Sequence, residues 1–388
     1  MKHHIKLISI LSIVFLVAFC NIARAQDKQT YTVSGEIKGL EHNFMVIIPS
    51  EYSRGYQYDT IYVKNNKFTF TRPISELKLV KIFTRDQNLS KKASSGGSYP
   101  VKSQSIHFFA FPGADIKING EVTDFFNAYP SGDVYNNSMG AINKIAYPYY
   151  NNSVNLKVKA SHEKDTIKAK AYAKQSKEIS EEGTALRLKH MEENPSSLGV
   201  IWYLNDMMMR KQISDEKAIE IFNKIPKTLS DLSFYKTVES RVKGITTTKE
   251  GELVPSIKTA ATLDGKLFDI ATLKGKYVLI DFWGIWCGPC VKEMPKVKEF
   301  QEKYKEKLVV VGINSGDRKE RIQKFVSDKG YTWQQLMSDK KNTSDNFVNR
   351  FNVKGFPTKF IIDPEGRIVK RYLGSGEEAF ALLEKLLK

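Results

Sequence analysis

The chain has 388 residues, 41% of them hydrophobic and 11% aromatic, with a formal charge of +17. That length is too great for one ordinary core and predicts two or three domains, while the apolar share excludes a disordered chain. The positive balance does not mark a nucleic-acid surface, because bases and acids interleave, as from Lys296 to Lys307, in the pattern of a solvated helix face.

Residues 1–25 read as a secretory signal peptide: a basic start through Lys6, an apolar run from Leu7 to Phe19, and Ala23-Arg24-Ala25 before Gln26. The run is shorter than the roughly 20 residues of a spanning helix, and no second such run follows. Export to the periplasm or cell envelope, with cleavage after Ala25, is the expectation. The alternative is a chain lipidated at Cys20, the one route to membrane association, which a bulky Phe19 directly before the cysteine fits poorly. Cleavage leaves Cys287 and Cys290 as the only thiols, which excludes a structural disulfide framework.

Residues 26–123 have period two broken by turn residues, which predicts a small antiparallel β-sandwich as an accessory domain. Tyr31–Ile37 alternates, Ile61–Phe70 looks like a hairpin turning at Asn65-Asn66, and Phe108–Ile118 supplies two strands around Pro112-Gly113. Lys91–Ser98 reads as a flexible loop. Over 124–243 the period lengthens and predicts a bundle of about four helices, at Glu163–Glu193, Ser196–Lys211, Ser214–Ile225 and Leu229–Val242. Met207, Met208 and Met209 are expected to pack rather than bind a soft metal, because neighbouring helix residues do not share a face.

Residues 244–254 read as a polar linker. Strand and helix then alternate over 255–388: Tyr277–Trp283, Cys287–Tyr304, Leu308–Asn314, Arg318–Lys329, a hairpin of Phe360–Asp363 with Ile368–Leu373, and Glu377–Leu387. That order predicts an α/β domain with a mixed sheet flanked by helices.

The pair Cys287 and Cys290 lies where the buried strand becomes a helix. A structural zinc site needs four ligands, yet no histidine follows His190, so no metal is expected; the same lack speaks against a Cys-His nucleophile. A redox couple accounts for the positions. Cys287 would meet the helix's unpaired N–H groups and positive dipole end, which stabilise a thiolate, and Cys290, one turn on and shielded, would resolve. Pro289 suits a first-turn position that needs no N–H, Gly288 allows another backbone to approach, and Pro295 should kink the helix.

The stretch Val278–Cys290, with Trp286-Cys287-Gly288-Pro289-Cys290, resembles the active-site strand and turn of the thioredoxin superfamily. Gly355-Phe356-Pro357-Thr358 resembles its cis-proline loop, and Phe360–Gly366 the hairpin that follows. Cys290-Val-Lys-Glu293-Met-Pro295 and the lead-in Leu263–Gly275 are similar to the exported TlpA/ResA-like branch. The likeness covers about Pro255 to Lys388. It implies a thioredoxin-like fold and thiol-disulfide oxidoreductase activity, with a redox-active Cys287–Cys290 disulfide and no other cofactor. It also implies proton transfer by Asp281 and Glu293, since a carboxylate buried under the pair would have a raised pKa. Trp286, Gly288, Pro289, Phe356 and Pro357 would contact the client.

Gly-Pro between the cysteines resembles reducing members, so the expected partners are protein disulfide clients, apocytochrome c among the candidates, and a membrane electron donor of the DsbD/CcdA type, with no nucleic acid. The competing functions are a thiol peroxidase, a disulfide oxidase or isomerase, and a non-enzymatic partner-binding scaffold.

Overall fold

A computed structural model describes residues 29–49, 59–374 and 376–388. The signal-peptide and Cys20 expectations lie outside the described residues. By internal contacts the chain forms two compact units, divided at Val200/Ile201.

Among the described residues the first unit opens with β1 (Thr30–Lys38), β2 (Phe44–Pro49), β3 (Asp59–Tyr62), β4 (Lys67–Pro73), β5 (Lys78–Phe83), β6 (Ser105–Ala110), β7 (Asp115–Val122) and β8 (Phe126–Ser131). These form two four-stranded sheets, ordered β4-β1-β7-β8 and β3-β2-β5-β6. Alternation along the strands puts Val33, Phe70 and Ile116 of one sheet and Met45, Ile82 and Phe108 of the other into a single core, which is the sandwich the period-two pattern predicts.

Three details differ from the expectation. The β1–β7 pair is parallel. The turn at Asn65-Asn66 exists, with φ of 52° and 63° as a type I′ turn requires, but β3 and β4 on either side of it enter different sheets. Third, Lys91–Ser98 is not a free loop: Tyr99 N–H bonds Lys91 O at 2.7 Å and Ala93 N–H bonds Gly97 O at 2.7 Å.

Two long helices complete the unit, α1 (Val134–His162) and α2 (Thr166–Glu193). Asp133 caps α1 by accepting from the N–H of Tyr135 and Asn136, and Asp165 caps α2 in the same way. They run antiparallel, with buried Ser153 and Ser176 bonded across the seam at 3.0 Å. The helix α1 was not anticipated. Its buried positions include Asn136, Asn143, Asn151 and Ser153, and Pro148 lies inside it, so neither propensity nor apolar period announced it. Asn136 explains part of that substitution of polar for apolar: its side chain accepts from Phe109 N–H at 2.8 Å and donates to Phe109 O at 2.9 Å, fastening the helix to β6.

Helix α3 (Leu198–Met209) spans the division between the units. In it Met207 and Met208 are fully buried, as packing predicts. The second unit continues with α4 (Asp215–Lys224) and α5 (Ser233–Thr247). The stretch expected as a linker is ordered: α5 runs through Thr247, and Gly251 and Val254 donate to Ile368 O and Gly366 O at 2.8 and 2.9 Å. Its polar composition reflects an exposed helix end and an edge pairing, which composition alone does not separate from a linker.

The rest comprises a two-residue pair, β9 (Lys258–Thr259) with β10 (Phe268–Asp269), then β11 (Tyr277–Trp283), α6 (Gly288–Lys303), β12 (Leu308–Ser315), α7 (Lys319–Lys329), β13 (Gln334–Ser338), α8 (Phe347–Arg350), β14 (Thr358–Ile362), β15 (Ile368–Leu373) and α9 (Glu377–Leu387). The five-stranded sheet has the order β13-β12-β11-β14-β15, with β11, β12 and β13 parallel and β14 and β15 antiparallel to their neighbours. This is the mixed sheet expected from the β-α-β then β-β-α order. Along central β11 every residue after Tyr277 is buried. Leu279 and Trp283 enter a core with Met294 and Val297 of α6 and Leu383 of α9, while Val278, Ile280 and Phe282 enter a second core with Phe347 and Phe351. No described helix is long and apolar enough to cross a membrane.

Candidate active site

Cys287 and Cys290 form a disulfide, with Cα atoms 5.3 Å apart. Their placement follows from the local chain. Strand β11 ends at Trp283, a short connection follows, and Cys287 is the N-cap of α6, where Cys290 N–H points at its sulfur at 3.2 Å. In the reduced protein that N–H and the helix dipole favour negative charge on Cys287. Pro289 occupies the first turn, and Pro295 lies inside α6, which continues to Lys303. Above Gly288 there is open space: a Cβ built there would meet nothing within 4 Å.

The connection from 284 to 287 is held from below. Ile285 N–H bonds Asp317 Oδ2 at 2.7 Å, and Asp317 also accepts from Asn314 at 3.1 Å and pairs with Arg321 at 3.1 Å. Trp286 is 49% exposed, an unusual position for an indole. Its Nε1–H donates to Ser315 O at 2.7 Å, and its ring stands over Gly284, where a Cβ would come within 2.4 Å of Nε1. Phe356 packs on the core that contains both cysteines and meets Trp286 edge-on, and the Phe356–Pro357 bond is cis.

On the same covered face of the sheet as the pair lies a charge cluster. Asp281 shares the face of β11 with Leu279 and Trp283, the face that α6 covers, and it is 2% exposed. Directly across the antiparallel ladder, on β14, stands Lys359, with its side chain only 1% exposed. Its ammonium lies 3.1 Å from Asp281 Oδ1 and 2.7 Å from Glu293 Oε2, and Glu293 Oε1 accepts Gly376 N–H at 2.7 Å. Burial raises the pKa of Asp281, against the lowering pull of Lys359; Lys359 itself is held above the usual lysine value because the two carboxylates outweigh its own burial.

The structure thus brings Cys287, Cys290, Asp281 and Glu293 to one face of the sheet, with Trp286, Gly288, Pro289, Phe356 and Pro357 at the surrounding turns. Lys359 is the residue that sequence reasoning missed. Its signal was present: a lysine in the otherwise apolar run Lys359-Phe-Ile-Ile362 that pairs with the strand carrying Asp281. Among the described residues one group has metal-ligand spacing, Glu41, His42 and Asp86 of the first unit, where His42 Nε2 lies 4.0 Å from Asp86 Oδ1.

A mixed sheet bearing a Cys-x-x-Cys disulfide at the start of its first crossover helix, with a buried carboxylate on the same covered face, defines a thioredoxin-fold oxidoreductase. Residues 249–387 match the Redoxin family, and residues 31–139 match a domain of unknown function, DUF4369. The thiol-disulfide oxidoreductase ResA of Bacillus anthracis is 35% identical over 127 residues, which are 32% of this chain and 70% of that protein. ResA of Bacillus subtilis is 32% identical over 131 residues, 34% of this chain and 70% of its own. The solved thioredoxin domain of a thiol-disulfide oxidoreductase from Bacteroides vulgatus is 29% identical, covering 36% of this chain and 99% of that one with a TM-score of 0.33. The chain belongs to the thioredoxin superfamily, with the ResA-like thiol-disulfide oxidoreductases as its relatives.

Proposed function

We propose that the protein is an exported reductase of disulfides in envelope proteins. The observation that carries this reading is Cys287 at the helix start, with Cys290 N–H on its sulfur and the aromatic pair Trp286 and Phe356 beside it. In the reduced protein the Cys287 thiolate attacks a client disulfide. A Cys287–client bond forms, the client S–S bond breaks, and one client thiolate leaves to take a proton from solvent. Cys290 sulfur then attacks Cys287 sulfur, closing the disulfide and expelling the second client thiolate, while its own proton passes to Asp281. Two electrons move from the dithiol to the client. A membrane donor of the DsbD/CcdA type would return the protein to the dithiol, because cytosolic reductants cannot reach an exported domain.

Trp286 and Phe356, with the open space over Gly288 and buried Pro357 setting the neighbouring turn, supply an apolar face for an extended client segment. Apocytochrome c is one candidate client, in keeping with the exported ResA-like resemblance. The direction of electron flow rests on Gly288-Pro289 between the cysteines. Equilibration with glutathione buffers tests it: the reading expects a potential nearer the roughly −270 mV of thioredoxin than the roughly −120 mV of a strong oxidant such as DsbA. A value near the oxidising end contradicts it and makes the protein a disulfide oxidase.

A further inference from the structure

We propose that Lys359 is a positioning residue for the dithiol chemistry: its ammonium binds Glu293 as a permanent ion pair and leaves Asp281 as the carboxyl that exchanges a proton with Cys290. This rests on the reading above, in which Asp281 accepts that proton.

The cluster contains two carboxylates and one ammonium: Asp281 and Lys359 project from the face of the sheet that α6 covers, and Glu293 reaches them from α6 with its side chain 17% exposed. With both acids ionised its net charge is −1, which a buried site disfavours; with one proton added it is neutral. The geometry separates the two acids. Glu293 has the shorter contact to the ammonium, 2.7 Å, and a backbone N–H on its other oxygen, so its negative charge is fully met. Asp281 has the ammonium at 3.1 Å without hydrogen-bond alignment, and Oδ1 has no hydrogen-bond partner. Asp281 is therefore the carboxylate whose charge is less well compensated by its neighbours.

The groups facing Asp281 from its neighbours are few. From β14 comes Lys359, from α6 comes Glu293, and the residue paired with it on β12 is Gly312, while the cysteines pack in the core on the same face of β11. From α9 the approach is apolar, with the Phe380 ring 6.0 Å from the ammonium. Lys359 pulls Asp281 toward ionisation and Glu293 pushes it away, so removing either charge should move Asp281 in opposite directions. A wholly structural lysine predicts no such pair of signs.

The experiment is the pH dependence of mixed-disulfide resolution in the full chain. Reduced protein is mixed with a peptide disulfide carrying a fluorophore, and release of the second thiol is followed from pH 4 to 9 with folding checked by circular dichroism. Asp281 ionisation appears as the acid limb. Lys359→Met should move that limb up by about one pH unit or more, a tenfold loss on the acid side. Lys359→Arg should stay near wild type, and Glu293→Gln should move the limb down. In an Asp281→Asn background neither Lys359→Met nor Glu293→Gln should move the profile further. The proposal is overturned if the single variants leave the limb unmoved, slow the reaction equally at all pH, or act equally in Asp281→Asn. If Lys359→Met does not fold, the sign of the Glu293→Gln shift and the behaviour of Lys359→Arg decide. An Asp281→Asn protein that resolves at the wild-type rate with the wild-type acid limb overturns the underlying proton-acceptor assignment instead.

Discussion

The indole of Trp286 meets the ring of Phe356 edge-on, with centroids 5.1 Å apart and planes inclined at 70°. One residue precedes the nucleophilic cysteine and the other precedes Pro357, so the contact closes the gap between two turns distant in sequence. An edge-to-face pair contributes about 0.5–1.5 kcal/mol beyond its buried area. Trp286→Ala should raise KM for a protein disulfide by about two- to thirteenfold, the equivalent of that energy, and leave the rate with a small disulfide nearly unchanged. Paired steady-state assays on the two substrates check this; equal losses on both would place Trp286 in the fold of the loop rather than in client binding.

Gly284 tests the same surface from beneath. A Cβ at that position would lie 2.4 Å from Trp286 Nε1, so Gly284→Ala must displace the indole and break its 2.7 Å bond to Ser315 O. The emission component that disappears in Trp286→Phe should shift to longer wavelength in Gly284→Ala, and KM should rise as in Trp286→Ala. Unchanged emission would mean that the indole is not seated as described.

Asp317 anchors the loop, with its side chain 1% exposed and bonds to Ile285 N–H, Asn314 and Arg321. Leaving these donors unmet costs about 1–3 kcal/mol. Asp317→Ala should therefore lower the thermal midpoint of the second unit by several degrees, at about 2–4 °C per kcal/mol for a unit of this size. An unchanged midpoint would show that water replaces the carboxylate without loss.

Asp281 links the site to stability. Its pKa is raised in the folded state above the ordinary value of 3.8 by burial, so its contribution is full below that ordinary value and is lost as pH rises through the folded value. Asp281→Asn, which cannot ionise, should lack that loss. Urea midpoints from pH 4 to 8 should change in the variant's favour as pH rises. A wild-type advantage that grows with pH instead would mean that Lys359 outweighs burial.

Much of the redox site was legible because local chemistry dictates it. A buried strand followed by two cysteines at helix-start spacing fixes the position of Cys287, and the Pro357 loop carries its own motif. Lys359 was legible as a lysine in an apolar run but not as part of the site, since Asp281 and Glu293 are 78 and 66 residues away in sequence and only the β11–β14 register and the packing of α6 bring them to it. In the first unit the alternation of Val33, Phe70 and Ile116 revealed strands but not which sheet each would join. Helix α1 stayed hidden because Asn136 and Ser153 satisfy buried bonds where apolar residues were sought.

The assignment of roles to the two cysteines is the centre of the account, and trapping tests it most directly. Full-length Cys290→Ser, reduced and mixed with an excess of a peptide disulfide at neutral pH, should accumulate a stable mixed disulfide that peptide mapping places on Cys287. Cys287→Ser under the same conditions should form little or none, because Cys290 is buried at 1% exposure inside the first turn, whereas Cys287 is the N-cap whose sulfur accepts a backbone N–H. Adduct forming faster on Cys290 in Cys287→Ser than on Cys287 in Cys290→Ser would reverse the roles and contradict the mechanism.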